Sequence, residues 1–417
     1  MKKNLLLMLS TLMMFFATTL PANASNPGDI KAAFIRNGNV WTYINSKEKQ
    51  ITTSGKVIGS PQWSFDGEWF LYQQEAPSIY SPGDTQSEIW AYQIGTGKNI
   101  KVFDDGFSPK WAPDQNIVAF QDRGILNISD LKRFSNVAAG VFTYSWLPDK
   151  KGFLLSSQAE LLPDGWTNPK LYKKKLTSKI EEQSMFNGVE PFFIIPKEVG
   201  IGNKKINSIY ADGFKFSPSN KWISFIVSPT ASLAMDSNML CVLSSDGKRF
   251  EVLDEVIRGV GGPNWAPTRD ILAYISGGGR IVFGFKDKKL KIREFPVSGS
   301  LTPTSYMELD FTWIDNHTLI TSRAREKEWS NDFTKHPLPS LYSIKIDNTR
   351  QTRITAPPKG VGDYSPQYLS KIEKIIWLRG KSITDSHKSA WISDREGGDA
   401  KQLLADVDKI SFYRDSQ

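Results

Sequence analysis

The sequence has few of the residues on which common activities depend. Its 417 residues include one cysteine and three histidines. The single cysteine, Cys241, excludes an internal disulfide, and the apolar run around it predicts a buried side chain. The histidines His317, His336 and His387 are far apart and form neither of the closely spaced pairs that zinc enzymes use. We therefore expect no metal and no other cofactor.

Motifs of two further enzyme classes are absent. No G-x-S-x-G nucleophile elbow of a hydrolase occurs in the chain. Three consecutive glycines at 277–279 come before no predicted helix, which argues against a phosphate-binding loop. The residues favour a binding protein over an enzyme, and we expect no nucleic acid among its partners.

Long apolar runs are missing except at the N-terminus. Lys2 and Lys3 precede an almost wholly apolar stretch at 5–20, and Ala22-Asn23-Ala24 follows it. This three-part pattern predicts a signal peptide over 1–24, cleaved after Ala24. We expect a mature chain of 25–417 that is secreted, periplasmic or envelope-located, has no transmembrane segment and is a monomer.

An aromatic residue followed by a turn and an apolar strand recurs along the chain. Examples are SPQWSFDGEWFLY from Ser60, SPKWAPDQNIVAF from Ser108 and GPNWAPTRDILAY from Gly262. The spacing of about 50 residues is typical of four-stranded propeller blades. Seven such aromatic residues, here called anchors, are Trp63, Trp111, Trp146, Phe216, Trp265, Trp313 and Tyr368.

The two ends of the chain predict how the ring closes. The first repeat, at 31–53, has three strands and no anchor strand, whereas a lone strand ends the chain at 409–413. Joining them completes one blade and leaves no blade with an unpaired edge. The prediction is an all-β fold, a single β-propeller over 25–417 with eight blades, or alternatively seven.

The repeats resemble a known family. The phrases WAPD, WLPD and FSPS, and the stretch WISDREGGDAKQL from Trp391, are similar to the TolB-like β-propeller repeat. This resemblance implies the fold, but such repeats occur in envelope adaptors, in gating domains of peptidases and in polysaccharide lyases. The α/β domain that precedes the propeller in TolB itself is not expected here, so that protein's role is not carried over.

Functional residues are expected on the face formed by two sets of loops. The strands of each blade are labelled A to D, counted outward from the centre of the ring. With this labelling, the B–C and D–A loops share one face and include the longest connections, at 75–87, 159–169, 187–210, 229–238 and 324–339. Long loops on a rigid scaffold commonly carry binding residues. The candidates are four loop aromatics and a rim of charged residues ahead of the anchors: Tyr80, Trp166, Trp329, Phe333, Asp105, Asp212, Arg258, Asp310 and Asp363. Each aspartate has the alternative role of capping its own turn.

Three functions are compatible with this sequence. The favoured one is an exported binding or adaptor protein with an envelope or extracellular protein or polymer as partner. A polysaccharide hydrolase or lyase is an alternative, since His336 and His387 fall in loops of neighbouring blades and distances between carboxylates are not known. The third is a wall-associated structural protein held by two basic segments. The alternative interpretation of these segments is that they are solvated outer strands. Their basic residues are Lys170, Lys173, Lys174, Lys175, Lys179, Lys286, Lys288, Lys289, Lys291 and Arg293.

Overall fold

The computed structural model describes residues 30–294 and 297–414, and the expected signal peptide lies outside them. Within these residues, eight four-stranded antiparallel sheets form the blades of a closed ring. Strands A to D of blades 1 to 4 are, in turn, Lys409–Phe412, Lys31–Arg36, Asn39–Ile44, Lys47–Gln50; Val57–Trp63, Trp69–Pro77, Thr85–Gln93, Asn99–Phe103; Phe107–Trp111, Val118–Asp122, Ile125–Ser129, Phe134–Ala139; Thr143–Trp146, Gly152–Ser156, Lys170–Lys175, Val189–Ile194.

Blades 5 to 8 continue the same order of strands. They are Tyr210–Phe216, Trp222–Ser228, Asn238–Ser244, Phe250–Val256; Asn264–Trp265, Ile271–Ser276, Lys289–Glu294, Val297–Ser300; Tyr306–Trp313, Thr318–Arg325, Ser340–Lys345, Gln351–Arg353; Gly362–Leu369, Lys374–Gly380, Lys388–Ser393, Lys401–Val407. The remaining elements lie between strands: the hairpins Leu161–Leu162 with Gly165–Trp166 and Glu198–Ile201 with Lys204–Asn207, the α-helix Ala231–Ala234, and the 3₁₀ turns Ile180–Glu182, Ile281–Phe283, Phe333–Lys335 and Ser370–Ile372. The predicted eight-bladed propeller is confirmed.

Ring closure follows the predicted route. Strand Lys409–Phe412 pairs antiparallel with Lys31–Arg36, with Phe34 opposite Ile410. The buried Phe412 takes the place of an anchor, which makes eight anchors in all. Blade 1 is therefore built from both ends of the chain.

The anchors repeat because they hold neighbouring blades together. The indole Nε1 of Trp63, in blade 2, donates to the carbonyl oxygen of Ser411 in blade 1 at 3.0 Å. Trp111 donates in the same way to Gln62, one blade back, at 3.0 Å. Trp265 and Trp313 repeat the contact at 3.1 and 3.2 Å. Each of these indoles thus fills space between blades and also satisfies a carbonyl group of the innermost strand before it.

Apolar side chains pack between adjacent sheets, so the core is divided among the junctions of the ring. At the first junction, Ala33 and Ile35 of blade 1 pack with Phe70 and Tyr72 of blade 2. Cys241 is fully buried in the core around blade 5, as expected, and burial raises the pKa of its thiol. Stability thus comes from packing at the junctions between blades.

Two interpretations of loops and strands need correction. The stretch 187–210, expected as one long D–A loop, contains the outermost strand Val189–Ile194 and a hairpin. The two lysine-rich segments were expected as outer strands, but Lys170–Lys175 and Lys289–Glu294 are third strands, enclosed on both edges. Lys174 and Lys288 are 2% and 1% exposed, because their ammonium groups donate to carbonyl oxygens of the adjoining loops.

Candidate functional site

The predicted rim of carboxylates is only partly present. Asp310 lines a cavity at the centre of the ring, which is described below. Asp363, in contrast, is fully buried and accepts hydrogen bonds from Arg379 at 2.7 and 3.1 Å. Asp212 is paired with Arg258 at 2.7 Å, and the Asp105 carboxylate accepts from the backbone N–H of Ser87. The five charged candidates therefore do not form one ring: four are held by partners within the scaffold, and Asp310 faces the channel.

The four candidate aromatics lie in loops of one face but differ in exposure. Tyr80 and Phe333 are 64% and 58% exposed, and the guanidinium of Arg123 lies 5.3 Å from the ring centre of Tyr80. Trp166 is half-buried in the hairpin of the blade 4 B–C loop. Trp329 is also half-buried, with its ring 5.8 Å from that of Phe285. Trp329 therefore supports its loop, while Tyr80 and Phe333 are available for contact.

Exposed apolar side chains are concentrated on the face of the B–C and D–A loops, here called the loop-rich face. Of the sixteen large apolar side chains that are exposed in the described residues, only Phe134 and Phe186 belong to the C–D side of the disc. The other fourteen are at B–C or D–A connections or at the strand ends beside them: Ile58, Ile79, Tyr80, Phe107, Phe142, Leu161, Leu162, Ile194, Ile201, Leu233, Met235, Val282, Phe283 and Phe333. Contiguous patches of exposed apolar surface commonly mark interaction sites.

The B–C loops of blades 5, 6 and 7 form a continuous structure, here called the blade 5–7 ridge (229–237, 277–288 and 326–339). An ion pair of 2.7 Å joins Arg280 to Asp236, and backbone hydrogen bonds join Phe285 to Lys327 in both directions. His336 is buried beside Phe285, and its Nε2 lies 2.6 Å from the carbonyl oxygen of Ser330. Because the bases of the loops are fixed, the exposed tips are held in place: Leu233, Phe283 and Phe333.

The innermost strands alternate between apolar and polar residues. The residue two before each anchor is apolar, and all but Ile410 of these are buried. The residue directly before each anchor is polar and, except for Thr312, accessible to water, which places it toward the channel. These eight residues, here called the waist ring, are Ser411, Gln62, Lys110, Ser145, Lys215, Asn264, Thr312 and Gln367.

A second ring lies nearer the loop-rich face, three residues before each anchor. Its members, here called the mouth ring, are Ser60, Ser108, Thr143, Gly213, Gly262, Asp310, Ser365 and Lys409. In several blades this position coincides with a bulge, with φ of 50° at Ser108 and 49° at Ser365. Bulges commonly turn side chains toward binding sites.

A cavity of about 680 Å³ lies beside the waist ring and the mouth ring, and its lining residues come mainly from blades 6, 7, 8 and 1. Strand A of blade 6 is only the two residues Asn264–Trp265, and the glycine-rich segment 259–262 replaces its first half. A Cβ at Gly261 would lie 2.6 Å from Oδ1 of Asp310, so only glycine allows this close approach. The short strand and the glycines leave room for the cavity.

Asp310 has an unusual environment within this cavity. Burial raises the pKa of its carboxyl to about 6, although the Phe311 N–H, the Ser365 hydroxyl and the Lys215 charge each favour the ionised form. The Phe311 N–H donates to Oδ1 at 2.8 Å. A carboxyl group with a raised pKa in a cavity is a frequent mark of a functional site.

The histidines do not meet in one site. His336 is enclosed within the blade 5–7 ridge, while Nδ1 of His387 is 2.5 Å from the carboxylate of Asp406. His317 pairs with Asp347. Across the two described ranges, no group of three His, Cys, Asp or Glu side chains is placed to hold a metal ion. The same residues include no helix long and apolar enough to cross a membrane.

Comparison with known proteins shows the class of fold. No protein-family model matches the sequence, and no curated protein does either. A eukaryotic initiation factor aligns over 94% of this chain and 89% of its own, with a TM-score of 0.59 and 10% identity. Dihydro-heme d1 dehydrogenase NirN aligns over 95% and 76%, with a TM-score of 0.56 and 12% identity. At such identities the likeness shows the fold alone.

TolB from Acinetobacter baumannii is also similar, over 64% of this chain and 61% of its own, at a TM-score of 0.37 and 16% identity. That score is too low to support an argument about the family. The chain is thus an eight-bladed β-propeller protein, and its resemblance to the TolB-like repeat does not assign it to a specific family.

Two groups of candidate residues were not predicted from the sequence. The apolar tips Leu161, Leu233 and Phe283 lie in loops rich in turn residues and carry no motif. The waist ring has a signal in the repeats, since a polar residue precedes the anchor in SPQW, SPKW and GPNW alike.

Proposed function

We propose that the protein is exported and acts as a binding or adaptor module, holding an envelope or extracellular partner on its loop-rich face. The observation that supports this proposal is the uneven distribution of exposed large apolar side chains: of the sixteen in the described residues, fourteen are at the loop-rich face. Burying these side chains against a partner would supply about 25 cal/mol per Å² of apolar area.

The blade 5–7 ridge is the strongest part of this proposed interface. Its tips, Leu233, Phe283 and Phe333, are each more than half exposed, and ion pairs and backbone hydrogen bonds hold their loops together. A surface that is already ordered loses little conformational entropy on binding. The ridge therefore suits a specific partner.

The other two functions have less support. The histidines of the sugar-acting alternative have separate partners. Seven of the ten basic residues of the wall-binding alternative lie on enclosed third strands, and Lys174 and Lys288 point into the scaffold. The histidines thus form no joint site, and the basic residues form no solvated outer strand.

A charge substitution at the ridge tests the interface. Phe283→Asp, with a side chain that is 68% exposed, should leave the melting temperature unchanged and lower capture of an envelope partner at least tenfold. Phe186→Asp, at an aromatic side chain on the C–D side that is 79% exposed, is the matched control and should capture normally. Equal capture by both variants would contradict the proposed interface.

Cell fractionation tests export. The full chain should be recovered outside the cytoplasm with an N-terminus at Ser25, whereas a chain without residues 1–24 should remain inside the cell. Recovery of the full chain in the cytoplasm with residue 1 intact would refute this part of the proposal.

A further inference from the structure

The central channel carries more positive than negative charge. Lys110 and Lys215 belong to the waist ring and Lys409 to the mouth ring, whereas Asp310 is the one carboxylate of the two rings. Among the residues that the structure describes, no carboxylate forms a salt bridge with any of the three lysines. The channel wall therefore has an excess of two positive charges along these rings.

Neutral groups hold the two waist lysines in place. The ammonium of Lys110 donates to the carbonyl oxygen of Tyr144 at 2.6 Å. The ammonium of Lys215 lies 3.4 Å from Oδ1 of Asn264. Burial within the ring lowers the pKa of both lysines, with only partial compensation from the charges of Asp212 and Asp310. An anion in the channel would stabilise the charged form of each lysine.

The cavity beside the rings has the dimensions of a ligand site. Its volume of about 680 Å³ falls within the range of small-molecule pockets. Its wall combines apolar side chains such as Leu309 and Phe311 with three carboxylates and three cationic groups: Asp310, Asp385, Asp408, Lys388, Lys409 and Arg414. The cavity itself is therefore balanced in charge, and the excess of positive charge lies at the two waist lysines. Such a wall can position a small organic molecule and supply further hydrogen-bond donors to its anionic groups.

We propose that the channel binds a small molecule bearing phosphate or carboxylate groups, with those groups toward Lys110 and Lys215 and the rest of the molecule in the cavity. This site is formed by other residues than the blade 5–7 ridge, although the loop segments 259–262 and 383–385 of the loop-rich face line its cavity, and it does not depend on the proposed partner. Asp310 opposes an anion at the mouth ring, so it reduces affinity and favours ligands whose charge lies deeper, at the waist ring.

Titration calorimetry with two probes tests this proposal. The purified full chain is titrated with pyrophosphate and, separately, with citrate, at constant ionic strength so that non-specific screening is the same. Binding of one probe per chain is expected, and the probe with higher affinity identifies phosphate or carboxylate as the preferred group. Absence of binding by both probes at millimolar concentration would overturn the proposal.

Variants locate the site. Lys215→Gln, which can still hydrogen-bond to Asn264, and Lys110→Met should each weaken binding at least tenfold, whereas Asp310→Asn should strengthen it severalfold. Lys221→Met, at an exposed lysine in the A–B turn of the same blade as Lys215, is the control and should bind as the unmodified chain does. If the unmodified affinity is kept by the Lys110 and Lys215 variants, or if Asp310→Asn weakens binding, the anion does not bind at the waist ring.

Discussion

Asp310 should make the stability of the propeller depend on pH. Burial raises the pKa of its carboxyl from 3.8 to about 6. The folded chain therefore binds the proton more tightly than the unfolded chain, so this contribution to stability is present below pH 4 and is lost as the pH rises through 6. Asp310→Asn cannot titrate, and its stability relative to the unmodified chain should increase over that interval.

The size of the effect follows from the same pKa. The difference between 3.8 and about 6 corresponds to about 3 kcal/mol for a carboxyl that is fully shielded from water. Because the side chain is partly accessible through the channel, we expect about 1 to 2 kcal/mol between pH 4 and pH 7.5. Asp310→Asn should gain this amount relative to the unmodified chain as the pH rises.

Urea unfolding at pH 4, 5, 6 and 7.5, followed by tryptophan fluorescence, measures this difference. Asp246→Asn is a control, because hydrogen bonds from the Ser244 hydroxyl and the Lys248 N–H lower the pKa of Asp246 below its ordinary 3.8. Its contribution to stability changes only below pH 4, so the difference between that variant and the unmodified chain should stay nearly constant over the four pH values. A constant difference between Asp310→Asn and the unmodified chain at all four pH values would refute the reasoning.

Three further predictions concern the scaffold. Trp63→Phe should lower the unfolding free energy by about 1 kcal/mol more than Trp146→Phe, since the Trp63 indole donates to Ser411 whereas the buried Trp146 Nε1 has no partner among the described residues. Urea unfolding gives both values, and equal losses would contradict this expectation. Deletion of 409–414 removes the innermost strand of blade 1 with the buried Phe412 and should lower the unfolding free energy by about 5 kcal/mol or more. An unchanged melting temperature would disprove closure through that strand. Gly261→Ala should lower the melting temperature because the added Cβ clashes with Asp310. Gly262→Ala, at a position that faces open space, should leave the melting temperature unchanged, and calorimetry compares the two variants.

Most of the fold was predictable from the sequence because packing imposes a repeat. Every junction between blades needs a large aromatic side chain and a turn beside it, and this shared requirement appears as a spacing of about 50 residues. The unmatched first repeat and the lone final strand were enough to predict closure. The anchor at Trp63 illustrates the limit, since its hydrogen bond to Ser411 joins groups 348 residues apart.

The charges of the channel were not predictable in the same way. Asp310 and Asp363 precede their anchors by three and five residues, yet Asp310 lines the cavity and Asp363 is buried against Arg379. A bulge between Tyr364 and Gln367 changes the register of that strand, so distance along the chain does not determine direction. Charge and spacing alone therefore predicted a rim of carboxylates that the folded strands do not form.

The lysine-rich segments were misinterpreted for a related reason. Lys170–Lys175 has the composition of a solvated edge strand, but the segment pairs on both sides. Lys174 is buried because its ammonium group reaches the carbonyl oxygens of Ser184 and Asn187 in the following loop. Composition indicates which side chains prefer water, while topology decides which of them reach it.

Site-specific photocrosslinking in living cells can show whether the loop-rich face holds the proposed partner. A photoreactive phenylalanine analogue is placed at position 283, on the blade 5–7 ridge, or at position 186, on the C–D side, both of which are exposed aromatic sites. A partner held on the loop-rich face should give a discrete cross-linked product from position 283 that is absent from position 186. A product from position 186 alone, or from neither position, would contradict this expectation.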